Sequence, residues 1–496
     1  MSQETLSADD REFFELVARA SFANPFGPER HRLDLRIGEA TEDLDRTEAA
    51  DASVTRLERR LRRLPSLDLR DYVPSDRRTL ELAILFDVFH DFSPQMDAVV
   101  ERQLEQGTDP VDVPFARRML TRLTDYGVDS EVAERRLSLL YQIRRAYHFI
   151  HTRLVGQARC MRRLRQRLWT NIFTDDLLLY DEHLWDRMED FSTFFVGETG
   201  TGKGTAAAAL GYSGWLSFDA SSGQFERSFT DSFLPVNLTE FSSSLIESEL
   251  FGHRKGAFTG AIDDYSGVFG RCHRRGVIFL DEIGEVGLNI QVKLLRVLQE
   301  RTFTPVGSRQ PERFEGRVVA ATNRPVDELR RDGELRDDLY YRLCSDVVEM
   351  PPLRLRIDQD PDELRRLVTH IVDRSLDGSE QIVERVLDVI DEQLPDDYPW
   401  PGNVRELEQC VRRVVVARQY TGDPCADDDA EPDDPVERLT HRVDDEQLEA
   451  RELVRAYCQL LYDRHENYRE VGRRVGLDRR TVKRHVTYSE DGSTEV

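Results

Sequence analysis

The stretch Gly197-Glu198-Thr199-Gly200-Thr201-Gly202-Lys203 constrains this chain more than any other. An apolar run, Phe194-Phe195-Val196, leads into it, and an alanine-rich helix candidate, Thr205 to Leu210, leads out. Strand, glycine-rich turn, lysine and helix start, in that order, make a loop whose backbone N–H groups turn inward around a polyphosphate. The helix N-terminus adds its partial positive charge and Lys203 reaches the outer phosphates. A turn that merely happens to carry a lysine would lack the flanking strand and helix. The fold this predicts is α/β, of the P-loop nucleotide-hydrolase kind. Gly204 stands where a Ser or Thr usually offers Mg²⁺ a hydroxyl, so the metal must lean on a carboxylate from elsewhere.

That carboxylate is present. Gly276-Val277-Ile278-Phe279-Leu280-Asp281-Glu282 reads as an apolar strand ending in two acids. Asp281 is placed to hold Mg²⁺ through water, and Glu282 to orient and deprotonate an attacking water. A second strand candidate, Arg317-Val318-Val319-Ala320-Ala321, ends at Thr322-Asn323, where Asn323 can hydrogen-bond a terminal phosphate or the water beside it.

Composition limits the remaining options. With 69 Lys+Arg against 94 Asp+Glu the net charge is -25, so the body repels nucleic acid and DNA contact requires a local basic patch. Cys160, Cys272, Cys344, Cys410, Cys425 and Cys458 form no CxxC pair, which indicates neither a zinc site nor a disulfide framework. No signal peptide opens the 496 residues and no apolar run is long enough for a bilayer, so the expectation is a soluble cytoplasmic protein without membrane contact.

Between the phosphate loop and the acidic strand lies Glu249-Leu250-Phe251-Gly252-His253-Arg254-Lys255-Gly256-Ala257-Phe258-Thr259-Gly260-Ala261. Its last six residues are small and flexible apart from Phe258 and Thr259, as suits an exposed tip whose ring inserts into a partner; a tight turn over a buried Phe is the alternative. The segments GETGTGK, SELFGHRKGAFTGA, GVIFLDEIGE, VKLLRVLQERTFTPVGS, ATNRP, LRDDLYYRL and WPGNVREL follow in this order. Together they resemble the AAA+ domain of sigma-54-dependent transcriptional activators, the bacterial enhancer-binding proteins, over roughly residues 154 to 420.

The resemblance implies a ring, commonly hexameric, that hydrolyses ATP with Mg²⁺ to remodel the closed promoter complex of sigma-54 RNA polymerase. It implies that Gly197, Glu198, Thr199, Gly200, Thr201, Gly202, Lys203, Gly204 and Thr205 hold the nucleotide. Gly256, Ala257, Phe258, Thr259, Gly260 and Ala261 would touch sigma-54. Asn237 matches the Asn that restrains Glu282 until the γ-phosphate is sensed. Arg336 and Arg342 match arginine fingers offered to the neighbouring subunit, which would make hydrolysis depend on assembly. Arg405 matches the lid arginine that reaches back to the phosphates. Three departures stand out: Gly204 replaces a usual Glu, Leu335 replaces a usual Phe, and Tyr212 to Phe233 is longer than typical and is expected to be a surface insertion. None removes a catalytic group.

The flanks say less. Residues 1–153 pattern as helix, with Arg78 to Phe89 apolar all round and Ser130 to Arg153 amphipathic, and suit regulation or plain helical packing equally. The expected boundaries are a helical N-terminal region over 1–153, an AAA+ core over 154–352, a helical lid over 353–420, an acidic linker over 421–440 and a DNA-binding end over 441–496. Within Asn467 to Val486, seven Arg/Lys face two acids around a turn at Gly476. The pattern is similar to the Fis-type helix-turn-helix that ends this family, implying a dimeric reader of upstream DNA, with Arg479, Arg480, Thr481, Lys483 and Arg484 on the recognition helix. Two other readings stay open: a passive DNA-binding regulator whose AAA+ domain only oligomerises, and a ring remodeller of another target.

Overall fold

The computed structural model describes residues 3–242, 245–376, 378–422, 450–465 and 467–487. The chain divides into two compact units, Met1–Tyr420 and Thr421–Val496.

Among the described residues the first unit has nine short strands: β1 (Thr193–Val196), β2 (Phe218–Asp219), β3 (Gln224–Phe225), β4 (Phe233–Asn237), β5 (Val277–Asp281), β6 (Thr302–Phe303), β7 (Glu312–Arg313), β8 (Arg317–Thr322) and β9 (Asp346–Glu349). Five of them form a parallel sheet in the order β4-β5-β8-β1-β9. β5 and β8 are nearly continuous apolar runs because a parallel sheet is covered on both faces. The parallel arrangement delivers the ends of β1, β5 and β8 to one edge, where Gly197, Asp281 and Asn323 emerge side by side.

Ahead of the sheet the chain is helical: α1 (Ala8–Phe22), α2 (Pro28–Gly38), α3 (Arg46–Leu61), α4 (Pro74–Gln106), α5 (Ala116–Asp125), α6 (Ser130–Arg153) and α7 (Arg159–Phe173). The apolar girdle expected over Arg78 to Phe89 lies within α4, and α6 has the bounds its pattern predicts. The sheet region contributes α8 (Lys203–Gly211), α9 (Leu288–Glu300) and α10 (Asp337–Leu343).

The segment Tyr212 to Phe233 is not the surface insertion expected. Trp215, Phe218, Phe225 and Phe229 are buried, each worth about 1.5–3 kcal/mol on full burial. They pack on α6, where Phe225 stacks on Tyr141 at 4.3 Å. Gln142 Nε2 donates to the Ser213 carbonyl (2.9 Å), Arg145 donates to the carbonyls of Tyr212 and Gly214 (2.6 Å each), and Ser138 Oγ accepts from the Phe218 N–H (2.9 Å). The extra length is a clamp between the N-terminal helices and the motor.

A lid follows: α11 (Leu353–Gln359), α12 (Glu363–Leu376), α13 (Glu380–Gln393) and α14 (Asn403–Ala417), around a core that includes Leu367, Val386, Trp400 and Val411. The buried pair Arg356–Glu363 joins it to the chain after α6, since Arg356 also donates to the Val155 carbonyl (2.7 Å) and Glu363 accepts from the Gln157 N–H (2.8 Å).

In the second unit, α15 (Ala450–His465), α16 (Tyr468–Val475) and α17 (Arg479–Thr487) share a small core of Leu461, Val471 and Val482. Gly476 has φ 75°, the left-handed turn that ends α16. Apart from residues 421 and 422, the expected acidic linker over 421–440 lies outside the described residues, as does the start of the DNA-binding end expected from 441.

Candidate active site

The loop between β1 and α8 takes its shape from three left-handed glycines, Gly197 (φ 149°), Gly200 (φ 77°) and Gly202 (φ 94°). A side chain at Gly200 would also strike the Gly402 carbonyl at 2.1 Å. The loop is closed in on itself: Lys203 Nζ donates to the carbonyls of Gly197 (2.7 Å) and Glu198 (3.1 Å), and Thr201 Oγ1 donates to Glu198 (2.8 Å). Burial pulls the Lys203 ammonium below its ordinary pKa, while Glu282 and Asp281 work to hold it charged.

The two acids leave β5 beside it. Asp281 and Glu282 both have pKa values raised by burial, against which Lys203 pulls down. The Glu282 N–H donates to Asp281 Oδ1 (3.1 Å), and Glu282 itself has φ 57°, a strained left-handed conformation just past the end of the strand. Asn323 joins the pieces: its N–H donates to Glu282 Oε2 (3.1 Å) and its Nδ2 to Thr199 Oγ1 (3.0 Å). Asn237 is the register partner of Asp281, yet its Oδ1 accepts from the N–H and hydroxyl of Thr239 (3.1 and 2.9 Å), and Glu282 is held by Asn323 instead.

Most of the phosphate loop and the two acids line one cavity of about 360 Å³, with Asn323 and Asn237 outside its lining. Thr199 to Thr205, Asp281, Glu282 and Arg405 form its polar end, and Leu154, Val155, Met161, Leu367 and Ile371 its apolar end, a division that suits a polyphosphate joined to a flat base. Arg405 is exposed at the start of α14 and faces Lys203 and Asp281 closely enough to bear on both. Neither Arg336 nor Arg342 lines this cavity: Arg336 is the partly exposed residue just ahead of α10, and Arg342 is exposed within it. Arg336 is paired with Asp338 (2.8 Å), and the Arg342 side chain has no ion pair among the described residues.

Two contributors escaped the motif reading. Asn403 is fully buried, and its Nδ2 donates to Glu198 Oε2 (3.1 Å) and to the Thr199 carbonyl (3.0 Å) while its Oδ1 accepts from the Leu353 N–H (2.7 Å). Arg354 pairs with Glu198 and is the largest cause of that carboxyl's lowered pKa. Together with the Val404 N–H, which donates to the Gly200 carbonyl (3.1 Å), they fasten the lid to the phosphate loop. The signal available in sequence was Asn403 itself, an Asn after Pro-Gly, where left-handed backbone is tolerated.

The Gly256–Ala261 segment forms a separate tip. The Gly256 N–H donates to the Ala261 carbonyl (2.8 Å), with Gly256 and Gly260 both at positive φ (81° and 106°). Phe258 is 40% exposed with its edge on His253 (4.9 Å), Thr259 is exposed and Ile262 beside it is 74% exposed. In the second unit, Arg479, Arg480, Lys483 and Arg484 are exposed on α17, whereas Thr481 donates its N–H and hydroxyl to Asp478, the residue that caps the helix.

Residues 185–349 match the family described as the sigma-54 interaction domain, and residues 361–423 match the AAA+ ATPase lid domain. The DNA-binding transcriptional regulator NtrC of Rhizobium meliloti (strain 1021) is 38% identical over 260 residues, 51% of this chain and 49% of that one. The transcriptional regulatory protein ZraR of Klebsiella oxytoca is 36% identical over 305 residues, covering 59% and 62%. The Nif-specific regulatory protein of Azotobacter vinelandii is 37% identical over 288 residues, covering 58% and 48%. The chain spans about half the length of the curated relatives it matches. Among solved structures, NtrX from Brucella abortus in complex with ADP is 21% identical over 74% of this chain and 78% of that one, at a TM-score of 0.41, too low to establish a shared arrangement.

Proposed function

From a chain that carries a sigma-54 interaction domain followed by an AAA+ lid, we propose an ATP-hydrolysing transcriptional activator that binds upstream DNA and remodels sigma-54 RNA polymerase. The observation that carries this reading is the convergence of Lys203, Asp281, Glu282, Asn323 and Thr199 at one sheet edge, with a glycine-hinged Phe258-Thr259 tip standing free of it.

ATP enters with its base against Leu154, Val155 and Ile371 and its phosphates in the loop, where Lys203 exchanges two carbonyls for phosphate oxygens. Mg²⁺ fits the donors available: Gly204 offers no hydroxyl, and Asp281, half-buried beside a cation, is the carboxylate left to hold the ion through water. The bound metal supplies charge neutralisation on the phosphates. Glu282 takes the proton of the attacking water, and Asn323 aligns that carboxylate with Thr199 and the terminal phosphate. Asn237 restrains Glu282 in another nucleotide state, after its side chain leaves Thr239.

Arg336 and Arg342 act on the neighbouring protomer's nucleotide, so that turnover requires a ring, of six subunits by family resemblance. An arginine supplied in trans is worth about 10³–10⁵ in rate. Hydrolysis moves Gly256–Ala261 against sigma-54. The basic face of α17 places Arg479, Arg480, Lys483 and Arg484 on double-stranded DNA, with Thr481 tied up in the cap. The setting is the cytoplasm, where transcription occurs.

The test is turnover by purified protein across a concentration series, with two variants beside it. Lys203→Ala is expected to lose nucleotide binding. Thr259→Ala is expected to hydrolyse ATP but fail to capture sigma-54 with a transition-state analogue bound. Zero hydrolysis at every concentration, or normal capture by Thr259→Ala, overturns the reading.

A further inference from the structure

The N-terminal helices enclose a second cavity, of about 660 Å³, that shares no lining residue with the nucleotide site. Phe22, Val54, Leu85, Phe89, Leu140 and Tyr147 make most of its wall apolar and aromatic. Its volume falls inside the range of about 300–1,000 Å³ over which proteins hold small organic ligands.

Part of its polar lining is already satisfied. Arg30 Nε donates to both carboxylate oxygens of Asp34 (3.0 and 2.8 Å), and the guanidinium lies over the Phe86 ring (4.8 Å). His90 Nδ1 sits 2.8 Å from the Phe86 carbonyl, which makes that nitrogen the donor and leaves Nε2 facing Arg30. Asp91 is paired with Arg122, Glu58 with Arg62, and Asp51 is exposed.

Two groups remain. His31 Nδ1 is buried without a partner. Arg46, exposed in the first turn of α3, donates to the Pro25 carbonyl (2.8 Å) and makes no ion pair among the described residues. Burial and the neighbouring Arg162 disfavour the Arg46 charge, and Tyr147 and Asp34 offset them only in part.

We propose that this cavity binds a small amphiphilic anion, with an aromatic or short acyl body in the apolar chamber and a carboxylate or sulfonate at Arg46 and His31. The chamber shares α6 with the motor. Leu140, Ile143 and Tyr147 on that helix line the chamber, Gln142 and Arg145 grip the segment after α8, and Arg153 at its end lines the nucleotide cavity. Binding is read without hydrolysis, so this site and the proposed activity stand or fall separately.

The test uses the full chain saturated with ADP and titrated with 1-anilinonaphthalene-8-sulfonate. One saturable probe per chain is expected, displaced by 2-naphthoate and about tenfold less readily by the neutral 2-naphthamide. Arg46→Glu should weaken the probe by about tenfold or more while leaving 2-naphthamide affinity unchanged. Ala50→Trp, which fills the chamber from a partly exposed position on α3, should abolish binding of all three, with circular dichroism verifying the helices. Unsaturable binding, or binding indifferent to Arg46→Glu, overturns the proposal, and the second of these decides the matter even if Ala50→Trp does not fold.

Discussion

Asn403, the first residue of the lid helix α14, donates its amide to the Thr199 carbonyl 3.0 Å away and 204 residues earlier in the chain. The same side chain accepts from the Leu353 N–H, is fully buried and sits on a backbone with φ 53°. It is thus both a lid anchor and a left-handed residue.

Those two roles separate by substitution. Asn403→Gly keeps the backbone and removes the amide, leaving the Leu353 N–H and Thr199 carbonyl short of partners at about 1–3 kcal/mol. Asn403→Ala loses the same bonds and adds about 1–2 kcal/mol of left-handed strain. Thermal melting should therefore rank wild type above Gly above Ala, with nucleotide affinity falling about tenfold or more in both variants. Equal melting of Gly and Ala would show that the backbone conformation is not a constraint.

Glu282 gives the pH dependence its sign. Burial raises its pKa above the ordinary 4.5, and the Asn323 N–H and Lys203 only partly oppose that. A base must be deprotonated to work, so turnover is lost as pH falls through the raised pKa, and the acid limb of kcat lies above 4.5. Glu282→Gln removes the base while keeping the shape. Hydrolysis should drop by about 10²–10⁴ with ATP still bound, measured by single turnover against equilibrium binding.

Local pattern carried the sheet and the phosphate loop because strand, glycine turn and helix follow one another in the chain. β5 and β8 announce themselves as unbroken apolar runs ending in Asp281 and Thr322, and α6 as a long amphipathic stretch. What stayed hidden depends on partners far away in sequence. Phe218, Phe225 and Phe229 fall at a helix-like spacing, but Asp219, Ser221, Ser222 and Gly223 between them are turn formers, so Tyr212 to Phe233 reads as loop until α6 supplies the surface that buries them. Asn403 and Arg354 look like ordinary polar lid residues until the lid folds back on Thr199 and Glu198. The chamber among α2, α3, α4 and α6 is a space between elements, which no single segment encodes.

Gly204 is a place where the sequence can be improved. Its φ is not left-handed, and a Cβ there would meet only Phe279 Cε1 at an ordinary 3.7 Å. Gly204→Ala and Gly204→Ser should each stabilise α8 by about 0.4–1 kcal/mol by restricting the unfolded chain. Only Ser adds an oxygen beside Asp281. The Mg²⁺ concentration giving half-maximal hydrolysis should therefore fall in Gly204→Ser and stay put in Gly204→Ala, and an identical response would remove the metal from this end of the loop.

Arg145 holds the N-terminal helices to the motor. Its guanidinium is 1% exposed, lies near the rings of Tyr141 (4.9 Å) and Phe229 (5.6 Å), and donates to the carbonyls of Tyr212 and Gly214, immediately after the phosphate-loop helix. Burial pulls its pKa down to about 10, which still leaves it charged at neutral pH. Arg145→Met fills most of the volume but strips both carbonyls of their donor, at about 1–3 kcal/mol each, offset in part because a buried charge is no longer required. The melting temperature should drop, and limited proteolysis should cut near Ser221 to Gly223, the tip of the β2–β3 hairpin. Arg145→Lys, whose single ammonium cannot fork across both carbonyls, should fall between the two. If Arg145→Met melts like the wild type and the hairpin resists protease equally, the clamp is carried by the aromatic packing of Phe225 and Phe229 alone.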